Sequence, residues 1–307
     1  MLDRITTLMT AQMTVSDLNQ SLNRLQRTQE EMSSGKKLNQ PSDDPYGTSL
    51  ALQLNGQLSG LDQYSRSITD GTGWAQAATS SMSNIDNMVQ RIRELTVQAA
   101  NGTNTPASMS ADAAEVNQLI DAIKQEGNTQ YNGQYIFSGT ATTTPAYQSG
   151  SNDTFGGNTG AVNRLIGPAT TVQVNANLGG VLGNGQSSDP SGGNLLYVLR
   201  NIAGDMQSGN TNALTNTDLG ALDTNFNSLT QMQASIGAVT DRLTLASSRI
   251  QDLQVSDTSA LSGVQDADMA QTAIDYSTEQ AAYTAALRAG ANIVQSSLMD
   301  FLGSSSG

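Results

Sequence analysis

Pro41 and Pro45 bracket Ser42, Asp43 and Asp44 in the stretch SSGKKLNQPSDDPYGTSLA (33–51), and Lys36 and Lys37 stand just before them. Two adjacent carboxylates beside a hydroxyl could hold a cation or supply an acid and a base. A calcium loop needs a ladder of oxygen ligands closed by a bidentate glutamate, and this stretch has no such ladder. The chain has no histidine and no cysteine. That removes the commonest general base, thiolate nucleophiles, disulfides, Cys/His metal sites and histidine triads. A helix boundary remains. Asp44 before Pro45 suits an N-cap followed by proline at the first helical position, and Asp43 adds negative charge at the positive end of that helix. The stretch is read as a corner between helices. Gly156, Gly157 and Gly160 lack the lysine and the preceding strand of a phosphate loop. No catalytic, cofactor-binding or metal-binding residue is nominated, and no cofactor is expected.

The elements that would flank such a corner follow from composition and period. The chain has 307 residues and a formal net charge of −13, from 14 basic and 27 acidic side chains. Phosphate binding needs clustered lysine and arginine, so nucleic acid is not an expected partner, nor is an anionic membrane surface. No apolar run is long enough to span a bilayer. The N-terminus lacks the pattern of a cleaved signal, so the expected location is cytoplasmic, or outside the cell by a route without one. Aromatics are only 4% of the chain, which suits an elongated helical protein better than a compact enzyme core.

Apolar residues recur at heptad spacing near both ends. Met1, Leu8, Val15 and Leu22 form one row, and Ala11, Leu18, Leu25 and Met32 form a second, three residues out of phase. Gly35 is the expected left-handed stop, with Lys36 and Lys37 beside the negative helix end. A stripe of Leu50, Leu54, Leu58 and Leu61 follows the corner, then a second long helix over 72–100 and a third carrying Val116, Leu119, Ile120 and Ile123. Asn132-Gly133 marks a turn. Between 135 and 194 the helical period vanishes. QYIFSG and TTVQV read as strands and GNGQSSDPSGG as a loop. The strongest seam comes next, with Leu222, Leu229, Ile236, Leu243 and Ile250 in one row and Met232, Val239, Ala246 and Leu253 in the other. After a Ser/Asp-rich break the last segment repeats the theme, with Met269, Tyr276 and Tyr283 in one row and Leu287, Val294 and Phe301 in another. Trp74 reads as core.

The expected fold is mainly α with a β-rich insertion: an elongated rod of long helices, the N- and C-terminal helices paired as a coiled coil, and a small β domain inserted mid-chain. The expected domains are 1–42 with 262–307, 43–134 with 195–261, and 135–194. Residues 1–40 carry five bases against four acids, whereas 251–307 carry Arg288 against seven acids, which slightly favours pairing the two ends with each other. The terminal rows must bury their stripes somewhere. Either they close into a bundle alone, or they order against neighbouring subunits; composition and period leave both open.

Three segments carry a family resemblance. LQRTQEEMSSGKKLNQPSDDPYGTSLA (25–51) resembles the N-terminal motif of bacterial flagellins and their relatives. VQRIRELTVQAANGTNT (89–105) resembles the flagellin motif at the end of the first core helix, and NTQYNGQYIFSGT (128–140) resembles the entry to the outer domain of the hook–filament junction proteins, or third hook-associated proteins. The start MLDRITTLMTAQM lacks the asparagine-rich opening of flagellins, and NQPSDDP and YIFSG also fit the junction branch better; the ending SSLMDFLG departs from both.

The resemblance implies a non-enzymatic structural subunit of the bacterial flagellum, exported through its channel without a cleaved signal and secreted to the cell exterior. It implies a ring of identical subunits between the first hook-associated protein and flagellin, and it leaves room for an export chaperone. On this reading Leu8, Val15, Leu18, Leu22, Leu25, Met269, Tyr276, Tyr283, Leu287, Val294, Leu298 and Phe301 contact neighbouring subunits. The alternatives are a filament-forming flagellin and, from another class, a helical-bundle enzyme with a carbohydrate or peptide substrate in the insertion.

Overall fold

The computed structural model describes residues 2–101, 104–184 and 193–303, with the side chains of 2–8, 10–11 and 293–303 left out of the description. Long helices account for most of it: α1 (Leu2–Ser34), α2 (Pro45–Ala100), α3 (Pro106–Gly127), α5 (Leu195–Ser208), α7 (Leu219–Gln265) and α8 (Met269–Gly303). Two short antiparallel hairpins, β1 (Gln130–Tyr131) with β2 (Gln134–Tyr135) and β3 (Asn163–Gly167) with β4 (Thr170–Gln173), lie between α3 and α5, with the single turn α4 (Gly179–Leu182). The turn α6 (Thr211–Ala213) and a π-turn (Leu214–Asp218) lead into α7. The chain forms two compact units, Met1–Ser59 with Gln254–Gly307, and Gly60–Leu253.

The corner stretch is a corner. Gly35 ends α1 at φ 69°. Asp44 caps α2 by accepting the Tyr46 N–H at 3.0 Å. Asp43 does more than bias the helix end: its Oδ2 accepts from the Asn39 and Gln40 amides at 3.3 and 2.9 Å, and Oδ1 lies 3.5 Å from Arg27. Lys37 serves a different helix from the one expected. It donates from Nζ to the Gly263 carbonyl at 2.9 Å, one of the last carbonyls of α7, which have no intrahelical donor.

α2 is one helix of 56 residues, not a short stripe followed by a helix from 72. Gly56, Gly60, Gly71 and Gly73 each cost roughly 1 kcal/mol relative to alanine. The row Leu54, Leu61, Ile68, Ala75, Met82 and Val89, buried throughout, outweighs them. Gly73 has a packing reason as well, because a Cβ there would collide with the Tyr131 hydroxyl. α7 likewise runs through the expected Ser/Asp-rich break, which shrinks to 266–268.

In the Gly60–Leu253 unit one core takes Met82, Ile85 and Ile92 from α2, Val116, Ile120 and Ile123 from α3, Leu199 and Ile202 from α5, and the whole row Leu222 to Ile250 of α7. Met232, Val239 and Ala246 pack against it half-buried. Trp74 is fully buried, edge-on to Tyr131, with the Arg164 guanidinium 5.5 Å above its ring; Arg164 is held in turn by Asp70 at 2.6 Å.

The insertion is less β-rich than QYIFSG suggested. Asn132 and Gly133, at φ 51° and 76°, make a tight hairpin turn, but the strand ends at Tyr135. Ile136 and Phe137 leave it to bury completely in the core of the unit. TTVQV does form β4 (Thr170–Gln173), paired with a β3 strand that the sequence pattern did not mark.

Lys124 of α3, 1% exposed, donates to the carbonyls of Gly150 and Asn152 at 2.6 and 3.0 Å and to Asp153 Oδ1 at 2.8 Å. Arg200 of α5 takes the other oxygen of Asp153 at 2.9 Å and also reaches Asn117. Burial pushes the Asp153 carboxyl up, but the Arg200 and Lys124 hydrogen bonds outweigh it and hold it below the usual carboxylate range.

Asp218, at the end of the π-turn, is buried, with one oxygen unbonded. Burial, the Asp205 charge and a hydrogen bond that only the protonated acid can donate to Asp205 push it up to about 6. A raised carboxyl disfavours the folded state only when ionised. The penalty is therefore absent below its unfolded value, near 3.8, and fully present above about 6. Asp218→Asn should raise stability at pH 7.5 by about 1–3 kcal/mol. It should also flatten the gain in melting temperature expected of the wild type as pH falls from 7 to 5. Thermal unfolding at the two pH values checks this, and an unchanged pH dependence would count against it.

Candidate assembly interface

The Met1–Ser59 and Gln254–Gly307 unit is built on α1 packed against α8. The pair is antiparallel: Thr14 lies beside Gly290, whose missing Cβ would be 3.3 Å from Thr14 Cγ2, and Arg24 Nε meets Glu279 at 3.1 Å. The two connections join at the other end. Lys37 N–H donates to Gln265 O and Ala267 N–H to Gly35 O, each at 2.9 Å. Asp268 caps α8 by accepting from the Ala270 N–H at 2.9 Å.

Burial locates the seam. On α1 it runs Thr14, Leu18, Ser21, Leu25 and Thr28, and on α8 Thr272, Tyr276, Glu279, Tyr283, Ala286 and Gly290, in alternating steps of three and four. Among the described residues Ser21 and Thr272 are the most buried of the seam, at 4% and 5% exposure, and the Ser21 hydroxyl has no hydrogen-bond partner. Over its described length the shared stripe is thus largely small and polar, which gives that stretch little hydrophobic stabilisation.

The nominated residues divide accordingly. Leu18, Leu25, Tyr276 and Tyr283 are brought together on the seam, half-buried, and Leu22 is half-buried at its edge. Val15, Met269 and Leu287 are exposed at 57%, 48% and 42%. Leu8, Val294, Leu298 and Phe301 lie outside the described side chains. At 100° per residue, Val15 and Leu22 stand about 80–100° round α1 from the seam, and Met269 and Leu287 about 60° round α8 in the same rotational sense. In an antiparallel pair these two flanks face the same side. Met9, Met13 and Ile274, at 55–58% exposure, add apolar surface elsewhere on the pair. The seam residues Thr14, Ser21, Thr28, Thr272 and Glu279 escaped the sequence pattern because they are polar. Their signal was the alternation of threes and fours through Leu18 and Leu25.

Over its described length the pair thus combines a largely small and polar seam with an apolar outer flank. The segment 5–142 matches the bacterial flagellin N-terminal helical region, and 219–302 matches the bacterial flagellin C-terminal helical region. The chain belongs to the flagellin-like family of flagellar structural proteins. It is 37% identical over 142 residues to flagellin of Salmonella muenchen, covering 46% of this chain and 28% of that one. It is 39% identical over 127 residues to flagellin 1 of Proteus mirabilis, covering 41% and 35%. The chain thus matches about a third or less of these flagellins' length. In fold it is similar to a structure assigned as a flagellar hook-associated protein of Vibrio parahaemolyticus (TM-score 0.65, 21% identity, 73% of this chain and 100% of that one). The flagellar junction protein FlgL of Legionella pneumophila is also similar (TM-score 0.59, 13% identity, 70% and 99%).

Proposed function

We propose that this chain is the structural subunit of the junction between hook and filament. It assembles as a ring of identical subunits between the first hook-associated protein and flagellin, and adapts the hook end to filament growth. One observation carries the reading: Val15, Met269 and Leu287 lie exposed beside a seam that is largely small and polar over its described length. Docking against neighbouring subunits covers that flank and makes assembly and ordering of the termini a single coupled event. The proposed contacts include Leu8, Val294, Leu298 and Phe301 as continuations of the same rows. The proposed domains remain 1–42 with 262–307, 43–134 with 195–261, and 135–194. The junction rather than the filament is favoured because the fold likeness spans nearly the full length of hook-associated and junction chains. Export through the flagellar channel belongs to the same proposal, and a cysteine-free chain suits threading because no disulfide can block it.

Deleting the gene in its native bacterium tests the role. The expected outcome is hooks without filaments and flagellin shed into the medium, whereas normal filaments would reject it. The sequence similarity to flagellins supports a second reading, a filament subunit. Seeding separates the two, since a filament subunit elongates seeds indefinitely and a junction subunit adds a limited layer.

A further inference from the structure

Within the Gly60–Leu253 unit a groove of about 560 Å³ opens between the tip of the β3–β4 hairpin and the outer face of α7. Ile166 and Pro168 form one wall, Leu61 contributes from α2, and Arg242, Leu245 and Arg249 form the α7 wall. Leu245 is 72% exposed. Arg24, Arg27, Arg91, Arg93, Lys124, Arg164 and Arg200 each hold a carboxylate. Among the described residues Lys36, Lys37, Arg66, Arg242, Arg249 and Arg288 hold none, and of these Arg242 and Arg249 line the groove. They stand seven residues apart on one stripe of α7, about 10 Å along its axis, with Leu245 between them.

On a chain of net charge −13, a second copy is repelled almost everywhere. It is accepted where unpaired cations and apolar surface coincide. An occupant matched to this groove is a helix with two carboxylates at the same spacing. The sequence contains one such pair, Asp268 and Asp275, both exposed, Asp268 as the N-cap of α8 and Asp275 in its second turn, with Ile274 beside Asp275 58% exposed. We propose that the groove receives the start of α8 from a second copy of this chain, Asp268 and Asp275 meeting Arg242 and Arg249 while Ile274 covers Leu245. The contact mode is a helix laid in a groove. This inference rests on the self-assembly reading above but names a contact separate from the exposed flank of the α1–α8 pair.

The absence of cysteine makes the test simple. The full-length Leu245→Cys variant is labelled with a photo-crosslinker and irradiated at high protein concentration, and crosslinked dimers are mapped by mass spectrometry. Crosslinks from position 245 into 268–279 of another chain are expected. Adding Arg242→Asp and Arg249→Asp should lower their yield about ten-fold at low salt, and adding Asp275→Arg to that variant should recover most of it. Crosslinks to other segments only, no chain-to-chain product, or reversal without rescue would each overturn the inference. These readouts do not depend on the junction role. Chains that assemble normally without this crosslink leave that role standing, and chains that form the crosslink but fail to layer onto hook ends sink the role alone.

Discussion

Asp153→Ala should lower the unfolding free energy of the Gly60–Leu253 unit by about 3–5 kcal/mol. The reason is the company this carboxylate keeps. Lys124 is 1% exposed, and among the described residues Asp153 is the counter-ion of its ammonium group; the other two acceptors are the neutral carbonyls of Gly150 and Asn152. Removing the anion leaves a buried positive charge and frees Arg200 as well. Urea unfolding followed by circular dichroism measures the loss. Lys124→Met in the same background removes the stranded charge, so the double variant should regain about half of it. The deficit should also shrink in acid. The Asp153 carboxyl is held below its ordinary value, so its stabilising contribution is present above about pH 4 and disappears as pH falls through the folded value. A loss under 1 kcal/mol, or a double variant no more stable than the single, would contradict this account of the latch.

The second large effect concerns assembly rather than folding. Val15→Asp with Leu287→Asp should leave the monomer's helicity and melting temperature nearly unchanged, because both side chains are already substantially exposed, at 57% and 42%. Incorporation into hook-end layers should fall on the order of 100-fold or more, since the contact would have to bury two carboxylates without partners. Leu18→Asp with Leu25→Asp makes the contrast, because these residues lie in the seam and should loosen the helix pair itself. Sedimentation and electron microscopy read incorporation, and circular dichroism reads folding. Unimpaired layering by the Val15/Leu287 variant would show that the outward flank is not the docking surface.

The α7 seam was legible because an apolar side chain occupies every seventh position from Leu222 to Ile250, and all five are buried. The corner at Asp44-Pro45 was legible because capping is local chemistry. The unity of α2 was obscured by four glycines, which weaken a helix locally while distant packing sustains it. Apolar periodicity pointed to the terminal rows but not to which residues face the partner helix. Val15 shares a heptad row with Leu22 yet faces outward, while Ser21 is buried. The Lys124–Asp153–Arg200 latch joins side chains 29 and 47 residues apart, and no local pattern announces such a pairing.

Hydrogen exchange along α1 and α8, in dilute monomer and then in chains docked on hook ends, tests the central claim most directly. The predicted result is rapid exchange of both helices in the monomer, slow exchange of the core helices α3 and α5 throughout, and strong protection of α1 and α8 after docking. Monomer helices α1 and α8 as protected as α3 and α5, with no further change on docking, would contradict it.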